Sequence, residues 1–152
     1  MGASYGLTPF RSDFIDYVKC EIDVCNITKV NKVVGIGTTL HKFVDSKGNH
    51  VYLPCVSYHL PTTDVRLFSP QIYHQLHGGH SVVNSDEVVM KFQKEGAWIS
   101  IPIDRDATNL PVVHNSFVSE KVKREHASKF RSALHATGLY AVFDYFANVS
   151  VD

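Results

Sequence analysis

No run in this sequence comes near the roughly 18 consecutive apolar residues that carry a helix across a bilayer, so no membrane span is expected. The opening Met1-Gly2-Ala3-Ser4 has neither the basic start nor the apolar stretch of a signal peptide. Gly6 stands where an N-myristoylation motif prefers Ser or Thr, which argues against a lipid anchor as well. A charge excess is also missing, since 15 Lys and Arg are matched by 15 Asp and Glu. A nucleic-acid footprint would show as a basic excess or stripe, so nucleic acid is not an expected partner. Cysteine is scarce: Cys20, Cys25 and Cys55 fall at irregular spacing with no Cys-x-x-Cys pair. That excludes a disulfide framework and a zinc knuckle, and leaves reduced thiols acting as small hydrophobes in a cytosolic setting.

What is present is an ordinary globular composition, 44% hydrophobic and 20% charged over 152 residues. This is enough chain to bury one core without metal or covalent staples. From Cys20 to Val56 short apolar runs are cut by Gly, Asn and Asp, and Cys20-Glu21-Ile22-Asp23-Val24 alternates as a half-buried strand does. In Lys32-Val33-Val34-Gly35-Ile36-Gly37-Thr38-Thr39-Leu40 two glycines one residue apart suit either a flexible hairpin tip or a close backbone approach. Asp45-Ser46-Lys47-Gly48-Asn49 is a cluster of turn formers between two apolar runs and predicts a hairpin. Pro54 and Pro61 restrict their stretch of chain to sheet edges and bends.

Ser69-Pro70 opens a short helix that Gly78-Gly79 stops. Glu87–Phe92 and Ala97–Ile103 predict a second hairpin joined by Gln93-Lys94-Glu95-Gly96, and Asp104–Asn115 reads as irregular. Ser119-Glu120 precedes a charged stretch in which Val118, Val122, Ala127, Phe130 and Leu134 recur at helical spacing. The aromatic run Leu139–Phe146 fits helix or strand equally by period.

Two features hint at chemistry without reaching it. His74, His77 and His80 recur every third residue with His59 upstream, but Gly78-Gly79 would break the helix face and no Cys or carboxylate completes a familiar zinc set. No metal and no cofactor is therefore expected. Lys121-Val122-Lys123-Arg124-Glu125-His126 is locally basic, yet its acidic neighbours and apolar spacing predict a solvated helix face.

Three strings, in order, carry a family resemblance: Gly2-Ala3-Ser4 with Leu7-Thr8-Pro9-Phe10 and Asp13-Phe14-Ile15, then Val33-Val34-Gly35-Ile36-Gly37-Thr38, then Leu60-Pro61-Thr62-Thr63-Asp64-Val65-Arg66-Leu67-Phe68-Ser69-Pro70-Gln71 behind Val56-Ser57-Tyr58-His59. Together they resemble the retropepsin-like aspartic protease domain of copia-type retrotransposon polyproteins. The last string is the most specific. The resemblance covers residues 1–112 and implies a mainly β fold, a closed retropepsin-like barrel or sandwich with one short helix, followed by a helical extension over 113–152 of the kind that separates protease from integrase.

On that resemblance Gly2, Ala3 and Ser4 are the tail of an Asp-Thr/Ser-Gly-Ala-Ser active-site loop. Val34, Gly35, Ile36, Gly37 and Thr38 would be the flap that closes over substrate, and Leu67, Phe68 and Ser69 would support the loop from beneath. The family cleaves its own polyprotein as a homodimer, in the cytoplasm within a virus-like particle, each subunit contributing one aspartate to a pair that shares a proton. The motif's aspartate would fall immediately before Met1, so the 152 residues hold no catalytic aspartate in the expected place. Asp45-Ser46-Lys47-Gly48 fits a turn, and Asp13 and Asp16 lack a following Ser/Thr-Gly. A positioned acid or base is commonly worth about 10² to 10⁴ in rate, so the expectation is a protease-like chain without peptidase activity of its own. The alternative is a non-catalytic peptide-binding or domesticated version of the same fold; a histidine-based metal-binding protein stands behind both.

Overall fold

A computed structural model describes residues 5–25, 30–93, 96–113 and 118–127, and within them the chain is mainly β. Strands β1 (Gly6–Thr8), β2 (Phe14–Cys25), β3 (Val30–Val44) and β4 (His50–His59) form one sheet in the order β1-β4-β3-β2. After helix α1 (Pro70–His77), strands β5 (His80–Val83), β6 (Glu87–Lys91), β7 (Trp98–Asp104) and β8 (Leu110–Pro111) form a second sheet in chain order. A further helix, α2, covers residues 120–127.

The hairpin expected at Asp45–Asn49 joins β3 to β4, with Val44 opposite His50. Its chemistry is local: the Asp45 carboxylate accepts from the amides of Lys47 and Asn49, both at 2.9 Å, as an Asx turn does. The same turn ties the two sheets together, since the Ser46 amide donates to the Trp98 carbonyl (2.8 Å) and the Trp98 amide donates to the Ser46 hydroxyl (3.2 Å). Pro54 is tolerated inside β4 because β1 pairs only with Ser57–His59. At Pro54, β4 has a neighbour on the β3 side alone and is locally an edge strand, where proline is accommodated.

The core has two parts. Cys20, Val33, Ile36, Cys55, Val56, Leu60 and Ile72 form one cluster; Phe43, Leu53, Val88, Met90, Ile99 and Ile101 form the other. Phe68 packs against both, its ring 5.2 Å from those of Phe43 and His41. The predicted hairpin of Glu87–Phe92 with Ala97–Ile103 is β6–β7, in which Val88, Met90, Ile99 and Ile101 alternate inward. The structure adds the short strands β1, β5 and β8; each has four residues or fewer, too short to show a period in sequence.

One expectation is overturned. Gly35-Ile36-Gly37 is not the tip of a flap hairpin: these residues lie in the middle of β3, opposite Lys19, Val18 and Tyr17 of β2 on one side and His59, Tyr58 and Ser57 of β4 on the other. Val34 and Thr38 continue the same strand, and Ile36 and Thr38 are almost wholly buried. The two glycines serve close backbone approach instead. A Cβ on Gly35 would collide with the Tyr17 ring, and one on Gly37 with the Asp16 carbonyl.

The helix predicted after Ser119 is present as α2, where the Ser119 hydroxyl accepts from the Val122 amide at 3.3 Å. Its expected continuation through Phe130 and Leu134, and the run Leu139–Phe146, lie outside the described residues.

Candidate functional site

Gly2, Ala3 and Ser4 lie outside the described residues; the strand that leads away from them does not. That strand is β1, which runs parallel to the end of β4, with Gly6, Leu7 and Thr8 opposite Ser57, Tyr58 and His59. On its other edge the Leu7 amide donates to the Leu67 carbonyl (3.0 Å) and the Leu67 amide returns a bond to the Leu7 carbonyl (2.8 Å). Gly6 is enclosed between these neighbours: a Cβ there would stand 2.7 Å from Cys55 Sγ and 2.8 Å from the Leu67 carbonyl oxygen. Only glycine fits without moving backbone.

Each of the three residues expected to support the loop does separate work. Leu67 pairs with β1, and Phe68 joins the two cores. Ser69, fully buried, caps α1 through its hydroxyl, which accepts from the Ile72 amide at 3.3 Å, while its own amide donates to Cys55 Sγ at 3.4 Å. Burial pushes the Cys55 thiol up to about 11, so at neutral pH it is an inert thiol rather than a nucleophile.

Two polar networks brace the turn after β1, and neither announces itself in sequence. In the first, Asp13 receives a two-pronged bond from Arg66, Nε to Oδ2 at 2.8 Å and a terminal guanidinium nitrogen to Oδ1 at 3.1 Å, and a third bond from the Thr8 hydroxyl at 2.6 Å. The Arg66 guanidinium also lies over the Phe10 ring, 4.7 Å from its centre. In the second, the Tyr17 hydroxyl meets His59 Nδ1 at 2.7 Å, and His59 Nε2 donates to the Pro9 carbonyl at 3.2 Å. Arg11 stacks on the Tyr17 ring at 3.9 Å. Burial lowers the His59 pKa and raises that of Tyr17, so both groups are neutral near pH 7.

Beneath these, the Thr39 hydroxyl contacts Ser57 Oγ and His41 Nε2, both at 2.8 Å, and donates to the Cys55 carbonyl at 3.2 Å. Enclosure holds His41 down at about 4, an uncharged imidazole. Among the described residues every buried side-chain nitrogen or oxygen has a hydrogen-bond partner. These groups therefore form a satisfied scaffold, with no orphaned donor or acceptor aimed at a ligand.

The described aspartates near β1 and the β3–β4 turn are similarly occupied. Asp13 is held by Arg66 and Thr8, and Asp16 accepts from the Thr38 amide at 2.8 Å across a bulge in β2. Asp45 closes its turn, as its neighbours in sequence predict. Of the histidines in the alternative reading, His74 has both ring nitrogens engaged, Nδ1 with the Gly78 carbonyl (2.9 Å) and Nε2 with the Ser81 hydroxyl (2.7 Å). No cluster of three His, Cys, Asp or Glu suited to a metal occurs among the described residues. Nor does any helix there have the length and apolarity to cross a membrane.

Compared with known proteins, the chain matches no family model, no curated protein and no solved structure.

Proposed function

We propose that this chain is the body of an aspartic-protease-like β domain. More particularly, it is a retropepsin-like domain of the kind found in copia-type retrotransposon polyproteins, whose ancestral work is peptide hydrolysis in polyprotein processing as a homodimer. The observation that carries the reading is the reciprocal Leu7–Leu67 pairing, which sets the Leu67-Phe68-Ser69 string directly against the strand following Gly2-Ala3-Ser4. This is the relation the resemblance requires between the loop and its support, and it joins residues sixty positions apart in sequence. The mainly β architecture is compatible with it. Gly35–Gly37 lie mid-strand in β3, paired on both sides, so a flap in this reading would have to be another segment.

The chemistry asks for a carboxylate facing its symmetry mate across one water, and the aspartates bound by Arg66, Thr38 and the Asp45 turn are spent on the fold. On this reading the 152-residue chain by itself is expected to cleave no peptide, and a non-catalytic peptide-binding role on the same scaffold is the second reading. The experiment is to extend the chain N-terminally by a strand ending in Asp-Thr or Asp-Ser, measure its mass in solution, and assay cleavage of a mixed peptide library from pH 4 to 7. A dimer that cleaves peptides, and loses cleavage when the added aspartate is replaced by asparagine, is the expected result. An extended chain that dimerises and folds but cleaves nothing refutes the protease reading.

A further inference from the structure

Lysine is seldom buried, because its ammonium loses water and must find new partners. Lys123 on α2 is only 7% exposed. Its Nζ donates to the Ser12 carbonyl, in the 3-10 turn Arg11–Asp13 that follows β1, and to the Glu120 carboxylate at 2.8 Å. Nearly one helical turn further on, the His126 ring lies 5.5 Å from that of Tyr52 on β4. The helix is thus held at its middle to the turn before β2 and near its C-terminal end to the start of β4, with β3 between those strands.

The surface between the anchors is apolar. Leu40 of β3 and Pro54 of β4 are cross-strand partners, one position from the Thr39–Phe14 pair and two from the Lys42–Tyr52 pair. Both are buried, and by strand alternation they share a face with Tyr52 and Lys42. Leu40 belongs to neither core cluster. Val122 and Ala127 of α2 are partly buried, whereas Lys121, Arg124 and Glu125 are exposed.

We propose that residues 118–127 form a strap that closes the Leu40–Pro54 face of the first sheet, and that the Lys123–Ser12 contact latches this strap to the turn after β1. The folded unit then extends past residue 112 into the segment expected to be a spacer. Opening the strap uncovers an apolar patch and frees the turn that braces β1. The inference stands on these contacts alone and does not depend on the protease reading.

The test is limited trypsin digestion of the full 152-residue chain. Arg11 adjoins the latched carbonyl, and Arg105, in the exposed loop after β7, is an internal reference. Lys123→Met keeps the apolar stem and removes the ammonium. A hydrogen bond from a charged group is worth enough that cleavage after Arg11 should rise roughly tenfold, with cleavage after Arg105 unchanged. Lys121→Met, on the exposed face of α2, should leave both sites as they are. Equal rates at Arg11 in wild type and Lys123→Met overturn the proposal, as does a rise shared by Arg11 and Arg105, which would mark Lys123 as a general stabiliser.

Should Lys123→Met fail to fold, hydrogen exchange on the wild-type chain decides. The amides of Asp13, Phe14, Val122 and Lys123, all hydrogen-bonded, should exchange through one common opening. Free exchange at Val122 and Lys123 beside protected Asp13 and Phe14 overturns it.

Discussion

The enclosed His41 makes a quantitative prediction about acid. Its Nε2 meets the Thr39 hydroxyl, its ring is edge-on to Phe68, and burial holds its folded pKa at about 4 against an ordinary 6.5. Asp13 pulls the value upward and Arg66 pushes it down, both less than burial does. A histidine whose folded pKa is depressed is neutral in the fold and takes up its proton more readily when unfolded. Acid therefore favours unfolding, beginning near the unfolded value and levelling off below the folded one. Between pH 7 and pH 5 this one group removes about 2 kcal/mol of stability, and about 3 by pH 4. The depressed His59 acts in the same direction. The perturbation is His41→Gln, which keeps a polar group within reach of Thr39 and has nothing to titrate. Urea midpoints at pH 7, 6 and 5, multiplied by their slopes, give the stability of each protein. The wild type should lose about 2 kcal/mol more than His41→Gln over that interval, because every other titrating group cancels in the comparison. Parallel losses in the two proteins would mean that His41 is protonated in the fold, and the account of an uncharged, enclosed ring would be wrong.

Other substitutions probe the same scaffold. Gly37→Ala should destabilise by roughly 2–3 kcal/mol, since its Cβ meets the Asp16 carbonyl and only backbone could yield; Gly35→Ala meets the Tyr17 ring, so its cost should largely vanish in a Tyr17→Ala background. Chemical denaturation of the four proteins separates the cases. Arg66→Met leaves Asp13, 12% exposed, without its cation and should cost about 2–4 kcal/mol, whereas Asp13→Asn with Arg66→Met together should cost less than the two singles added. Ser69→Ala removes the α1 cap and should cost about 1 kcal/mol, with a matching loss of helical signal near 222 nm. Cys55 should resist thiol reagents until the chain unfolds, because it is buried and its thiol is shifted to about 11; labelling of Cys55 in the folded protein at pH 7 would refute the burial.

Features fixed by neighbours in sequence are legible there. Asp45–Asn49 is a turn because Asp45 bonds amides two and four residues on, and Ser69-Pro70 starts a helix because the hydroxyl reaches an amide three residues on. Features fixed by distant partners are not. Asp13 and Arg66 are 53 positions apart and Tyr17 and His59 are 42 apart, so no window of sequence shows either pair. Gly35-Ile36-Gly37 misleads for a related reason. A glycine pair records that something comes close, and a substrate under a flap leaves the same mark as the Tyr17 ring and the Asp16 carbonyl across a sheet. The basic stretch of α2 is legible only in part: Lys121 and Arg124 are solvated as its pattern implies, but Lys123 turns inward to Ser12.

The Val65–Ser69 string bears on how far the resemblance reaches. The proposed resemblance rests on it most, and the fold alone accounts for its apolar pair and small residue: Leu67 pairs with β1, Phe68 spans two cores, and the fully buried Ser69 caps a helix. Arg66, just before them, is bound to Asp13. Specificity in that string is therefore a statement about architecture. A domain could keep all of it under selection for folding after losing its chemistry, because each of these contacts is needed whether or not a carboxylate stands in the neighbouring loop. The fold reading and the activity reading are separable on physical grounds, and only the N-terminally extended chain, assayed for cleavage as well as for dimerisation, measures the second.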